Sequence, residues 1–430
     1  MKGIVIIMKK KVPLSLVVTV IILAMTFTFT ATFTYAQRIF NQNIESLQEK
    51  SITYDKLAKL DIIVRNNFYG TINEELMLNT ISAGLMAGLD DENSKYLNSI
   101  QYSKYLENQA NVRTNYGIET IKDELTGYAR IIKVHKFSSA FEMGLIQNDL
   151  ITRINEIEIK LLTESQIESL LLNSKAGNAK ITYLSYLTGE EKTVELTIRK
   201  YNLETVSSKL LGSVGYVKIE VFNDSTPSQL NEILQKLLTD GAGSFVFDVR
   251  NVGGDNYDSA SRILDMLLPS GILMKAEYDE TSEKNTTIKT LYTSNSVEID
   301  KPMVAIVNAK TWGCAELFAL NLQEAKVLVV GEKTAGKGML QEIYPQADGS
   351  AIQLTVAKIL TGNNTTFADT GVMPSLEILL SKEQKEQWFT LTTQNDPQIT
   401  KAISAAESLL KDAEIKKAPE SVTTPESDSK

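Results

Sequence analysis

The chain has 430 residues, 43% of them hydrophobic, enough for two or three packed units with a core in each. Its 44 basic residues are outnumbered by 53 acidic ones, a net charge of −9, so there is no surplus of cations for phosphates and no nucleic-acid partner is expected. One cysteine, Cys314, and one histidine, His135, exclude an internal disulfide and an ordinary thiolate or imidazole metal cluster; no metal or other cofactor is expected, and nucleophilic chemistry would need a base such as lysine unless it used His135.

Lys9, Lys10 and Lys11 precede an uncharged run from Val12 to Gln37 that is long enough to cross a bilayer as a helix. The lysines would stay in the cytoplasm. Residues 1–37 then form a single-pass signal anchor in the cell membrane, with everything after Arg38 outside the cytoplasm. Thr34, Tyr35 and Ala36 keep open a second reading, a cleaved signal peptide, and Met8 is an alternative start.

Residues 38–111 read as helical, with Leu57, Leu60, Ile63 and Val64 spaced for one face and a second run from Glu74 to Leu89. A turn rich in Asp and Asn and a short helix close this segment. Residues 112–200 alternate as short strands in ARIIKV, DLITRI, AKITYLSYL and KTVELTIR, with one helix from Thr163 to Leu171. His135, in IIKVHKF, reads as a strand residue.

The third unit, 201–385, opens with a strand (GYVKIEVF), an amphipathic helix through Leu230, Ile233, Leu234 and Leu237, a second strand and a glycine turn, GSFVFDVRNVGGD. Gly253 and Gly254 permit a close backbone approach to a ligand or simply a tight turn. KPMVAIVN is a buried strand, followed by a turn and the helix CAELFALNLQEA, then by another strand and a loop holding Lys337. A strand, sharp turn and helix form a favourable frame for a nucleophile, because the helix start offers unpaired N–H groups and a positive dipole end. Residues 386–410 contain a last helix, and the polar tail 411–430 reads as disordered.

Several stretches together resemble the C-terminal processing (tail-specific) peptidases, which are Ser/Lys-dyad enzymes carrying a PDZ domain. Asp90, Asp91, Ser94, Tyr96 and Leu97 match the LDDPYSxYL signature. Ala140, Gly144, Leu145, Asp149, Ile151 and Asn155 match the PDZ pattern SPAxxAGLxxGDxIxxxN. GYVKIEVF and FDVRNVGG match GYIxIxxF and DLRxNxGG, and Asn308, Glu316, Gly331, Thr334, Gly336, Lys337, Gly338 and Gln341 match NxxSASASE and GxxTxGKGxVQ. Gly371 and Pro374 match a later run, where Ser375 replaces an aspartate.

The resemblance implies an α/β and α+β multidomain architecture: membrane helix, helical segment, PDZ domain and ClpP/crotonase-like α/β peptidase core. It implies a PDZ loop at Tyr116, Gly117 and Ile118 that gathers a peptide carboxylate, with Glu119 placed to repel that carboxylate. An oxyanion-hole N–H would come from Gly253 or Gly254, and a buried, neutral Lys337 would be the base. The serine is missing. Counting back from Glu316 puts its position at Gly313, counting from Lys337 puts it at Trp312, and no serine occurs from Asn308 to Gln341.

Two functions from different classes follow. The leading one is a pseudopeptidase that binds protein C-termini or peptides; the alternative is an endopeptidase with displaced chemistry, using Cys314 as nucleophile and Lys337 as base. Cys314 otherwise reads as a buried filler whose N–H lies at the oxyanion hole, Thr311 and Thr334 as satisfying turn backbone, and Lys337 as bonded to Gln341 and loop carbonyls. A structural role without peptide binding is a third reading, and homo-oligomerisation is compatible with all of them.

Overall fold

The computed structural model describes residues 54–172, 177–280, 285–295 and 299–417, with isolated helical positions between 23 and 34. Apart from those positions, the expected anchor lies outside the described residues, among which no helix is long and apolar enough to cross a membrane. The chain divides into two compact units, residues 1–80 and 81–430.

In the first unit, helix α1 (54–67) precedes the start of α2 (Glu74–Ala87). Arg65 joins them, bonding Asp61 at 2.8 Å and Glu74 at 2.5 Å. Leu57, Leu60, Ile63 and Val64 have the helical spacing but remain exposed, since two helices alone enclose no core.

The second unit begins with β1 (Lys95–Leu97) and α3 (Ser99–Gln109), the latter capped reciprocally by Asn98 and Gln101. A β-rich segment follows: β2 (Val112–Asn115), β3 (Ile118–Lys122), β4 (Ala129–Val134), α4 (Ser139–Glu142), β5 (Leu150–Ile154), β6 (Ile157–Glu158), α5 (Glu164–Leu172), β7 (Asn178–Leu184), β8 (Glu191–Thr197) and β9 (Arg199–Asn202). Its sheet runs β3-β4-β5-β7-β8, with β3 at one edge, around Ile131, Ile151, Ile154, Ile181 and Leu196. Strands β2 and β9 pair as a ribbon. His135 falls one residue past β4 rather than in a strand, and its Nε2 lies 2.8 Å from Glu119 Oε1.

The large core comprises β10 (Val206–Leu211), β11 (Val214–Ile219), α6 (Thr226–Thr239), β12 (Ser244–Asp248), α7 (Tyr257–Leu267), β13 (Gly271–Glu280), β14 (Asn285–Ser294), β15 (Met303–Val307), α8 (Cys314–Glu324), β16 (Leu328–Gly331), β17 (Met339–Pro345), β18 (Ala351–Leu360), β19 (Leu376–Glu377), α9 (Lys382–Glu386) and α10 (Pro397–Lys417). Strands β10-β11-β12-β15-β16-β19 form one sheet, parallel from β11 onward. A second, antiparallel sheet joins β1, β18, β13 and β14, with β17 also on β18.

Period-2 alternation decides which layer each residue of the parallel sheet serves. Phe245 and Phe247 of β12 face the core of α6, α7 and α8, where Phe247 meets Phe318 edge-on at 6.0 Å; Val246 faces the other way, into the cluster with Ile399, Ala402 and Ala406 of α10. Residues 314–322 of α8 are all buried, the mark of a helix enclosed on every side. The final helix reaches Lys417, so residues 411–417 of the expected disordered tail are helical. Glu407 to Lys411 and Asp412 to Lys416 are spaced four apart, which favours continuation of the helix.

One ion cluster ties the sheet to α10. Asp248 is fully buried and accepts from Tyr216 Oη at 2.7 Å and from the guanidinium of Arg250, whose Nη1 reaches Asp396 at 2.7 Å and Gln398 at 2.8 Å. Burial pushes the Asp248 carboxyl up, but the charge and hydrogen bonds of Arg250 outweigh it and hold the group below its ordinary range. Its stabilising effect is therefore present above the unfolded carboxyl pKa, about 4, and is lost as pH falls through the lower folded value. Arg250→Ala leaves this carboxylate without its cation and is expected to cost about 3–5 kcal/mol. Urea titrations at neutral pH, and again as pH is lowered past 4, check both statements.

Candidate functional site

Strands β12 and β15 end side by side, and the segments that leave them are fastened together. Asn308 Nδ2 donates to Asn251 Oδ1 at 2.9 Å, and Asn251 N donates to Asn308 Oδ1 at 3.0 Å. Thr311 Oγ1 donates to Val249 O at 2.9 Å and accepts from Asn308 N at 3.0 Å. The Thr311 hydroxyl is thus occupied with turn backbone. The carboxyl ends of parallel strands in α/β folds are where ligands ordinarily gather.

Gly313 stands at the N-cap of α8 with φ +61° and ψ −120°, a conformation that glycine adopts readily and other residues adopt only under strain. A Cβ here would lie 2.2 Å from Gly254 O and 3.5 Å from Tyr257 Oη. The Cys314 N–H donates to that same Gly254 oxygen at 2.9 Å, and Trp312 N donates to Val252 O at 3.1 Å. The glycine turn therefore directs a carbonyl oxygen, not an N–H, at the start of α8. This corrects the placing of an oxyanion-hole amide at Cys314, because its N–H already has an acceptor. Gly253 is covered by Trp312: a Cβ on it would come within 2.1 Å of the indole Nε1.

The Cys314 thiol is fully buried. Burial, reinforced by the charge of Asp255, pushes it well above the ordinary thiol range, against the thiolate that a nucleophile needs. A helix N-terminus favours an anion, but complete desolvation wins here.

Glu316, at the third position of α8, has no exposed surface, and its carboxylate gathers four donors. Gly313 N donates to Oε2 at 3.0 Å and Lys337 N to Oε2 at 2.9 Å; Gly336 N donates to Oε1 at 2.6 Å, and Thr334 Oγ1 also donates to Oε1. Thr334 Oγ1 in turn accepts from Val372 N at 2.6 Å. One carboxylate thus fixes the turn before α8 and the loop that carries Lys337. Its role lay half visible in the sequence, since a Glu three residues into a helix is one half of a capping box.

Lys337 is exposed, correcting the expected buried lysine. Glu316 holds the loop backbone inward while the side chain leaves it for solvent, placing Nζ 5.2 Å from the Trp312 ring centroid. Gln341 does not meet it; Gln341 Nε2 donates to Met339 O at 2.9 Å and to Thr355 Oγ1 at 3.4 Å. Asp255, on the far side of the glycine turn, accepts from Tyr105 Oη at 3.1 Å and Gln109 Nε2 at 2.9 Å, so α3 forms part of the surround.

At the other candidate site, Gly117 N donates to Asn115 Oδ1 at 2.8 Å, which occupies one of the three loop amides. Tyr116 is buried and Ile118 opens β3. Glu119 is held below its ordinary pKa, chiefly by the hydrogen bond with His135, so it stays ionised and the expected repulsion of a ligand carboxylate is not relieved.

A glycine turn, a helix N-terminus and a lysine loop thus converge at the carboxyl ends of parallel strands. Residues 213–378 match the model of peptidase family S41. The carboxy-terminal processing protease CtpA of Bacillus subtilis is 26% identical over 330 residues, 75% of this chain and 68% of that protein. The carboxyl-terminal-processing protease of Synechocystis is 25% identical over 347 residues, 79% of this chain and 76% of that one. A structure from Bacteroides fragilis, described as an S41 protease, superposes with a TM-score of 0.54 at 19% identity, over 80% of this chain and 91% of its own, and bears on the fold alone. Residues 213–378 are thus similar to peptidase family S41, and most of the chain is similar to C-terminal processing proteases.

Glu316→Gln turns one acceptor oxygen into a donor facing backbone N–H groups and is expected to cost about 1.5–3 kcal/mol, read from urea midpoints. Cys314 is expected to resist a thiol-reactive reagent in the native protein at neutral pH and to react fully in denaturant, as mass spectrometry would record.

Proposed function

We propose that this chain is a membrane-anchored, extracytoplasmic pseudopeptidase of its family, one that binds protein C-termini or other peptides without cleaving them. The observation that carries the reading is the state of residue 313: it has no side chain, and the space where a side chain would begin is taken by the Gly254 carbonyl at 2.2 Å. Without a hydroxyl no acyl-enzyme can form, and a carbonyl oxygen directed at the start of α8 repels rather than stabilises an oxyanion. Burial of the Cys314 thiol removes the support for displaced cysteine chemistry.

Peptide capture rests on the β-rich segment, read as a PDZ domain spanning 112–200. Strand β3 is an edge strand of its sheet and directly follows Tyr116 and Gly117, so an extended peptide can pair along it while its carboxylate lies near the loop. Ile118 touches the same core as Ile167 of α5. The anchor rests on the lysines and apolar run of residues 9–37.

Purified full-length protein in detergent is expected to leave an unstructured casein intact; cleavage that disappears in Lys337→Ala would overturn the reading. Gly313→Ser alone is expected to restore no cleavage, because its Cβ meets the Gly254 carbonyl, and to lower stability by about 1–3 kcal/mol in thermal or urea unfolding. A serine variant that cleaves casein would show instead that the turn opens freely.

A further inference from the structure

Lys337 projects an exposed side chain from a loop whose backbone is fixed. Its N–H is bonded to Glu316 at 2.9 Å, and its Nζ stands 5.2 Å from the centroid of Trp312, whose indole lies against the backbone of Gly253. Lys310 and Lys333 are exposed on the two loops that flank it, and Ala335 N donates to Thr311 O at 3.0 Å, joining those loops. Among the described residues none of the three lysines forms an ion pair. Asp369 packs beside the Lys337 turn, its N–H donating to Gly336 O at 2.8 Å, but its carboxylate pairs with none of them. In a chain of net charge −9, three exposed cations on the loops carrying Trp312 and Lys337 concentrate positive charge at the surface, while the Glu316 carboxylate lies buried beneath them.

From this arrangement we propose that Lys337 and Trp312 form a carboxylate-binding site for an extended peptide, with Lys337 as the anchoring cation and Trp312 as the flat apolar surface beneath the chain. The inference rests on the peptide-binding reading and specifies the group recognised in the cleft. The Glu316 contacts fix the backbone from which the Lys337 side chain starts, and the Trp312 ring, 5.2 Å from Nζ, gives that side chain a face to rest on. The aromatic face below supplies contact area at little entropic cost. Lys310 and Lys333 add attraction at longer range that salt would screen.

Trp312 and Trp388 are the only tryptophans, so Trp388→Phe leaves Trp312 as a built-in reporter. In that full-length protein, dye-labelled pentaalanine with a free C-terminal carboxylate, its amide, and an amidated version with one internal glutamate would be titrated at low salt. Dye anisotropy would be followed alongside Trp312 emission. The expected result is a Trp312 response that saturates at about tenfold lower concentration of the free acid than of the amide, a preference in that response abolished by Lys337→Gln, kept by Lys337→Arg and reduced at high salt. The glutamate peptide distinguishes a side-chain carboxylate from a terminal one; either source satisfies the proposal. Binding seen by anisotropy with no Trp312 response, or a carboxylate preference in the Trp312 response that survives Lys337→Gln, would overturn this site while leaving peptide capture elsewhere intact. No binding of any peptide would overturn both.

Discussion

The carboxylate of Glu316 is the interaction on which the site depends. A buried charge without a counter-ion is unfavourable unless its lone pairs are met, and here Gly313, Gly336, Lys337 and Thr334 meet them. Those donors come from two separate stretches of chain. The same contacts that make Glu316 tolerable therefore fix the turn before α8 against the lysine loop, and through Thr334 they hold the segment at Val372. Rigidity at this place belongs to the frame of hydrogen bonds around one carboxylate.

Around that frame the turns have closed on themselves. The Gly254 carbonyl accepts from Cys314 and fills the approach to Gly313, and the indole of Trp312 rests on Gly253. Such closure is self-consistent, because a serine at 313 would have to push the carbonyl aside. Lys337 stands exposed over an aromatic face, where a positive charge is favourable.

Much of this was legible in the chain. The run of parallel strands and helices, the glycine turn, the glycine at 313 and the likeness to peptidase family S41 follow from patterns of apolar residues, glycines and spaced motifs. Other features were not legible because they are long-range. Nothing near Lys337 in sequence says that it is exposed, since that depends on Trp312 lying twenty-five positions earlier and on Glu316 pulling the intervening backbone inward. Nor does a lone cysteine at a helix start announce complete burial, which the enclosure of α8 on every side imposes.

The sequence by itself determined which residues are present: no hydroxyl at 313, no second histidine, and a lysine, a glutamate and a glycine pair in fixed order. Covalent identity and local periodicity need no partner. The tertiary structure alone decided which way each group faces: a carbonyl instead of an amide at the start of α8, a buried thiol and an outward ammonium. Those directions come from hydrogen bonds and packing between segments far apart in the chain, so no local window contains them.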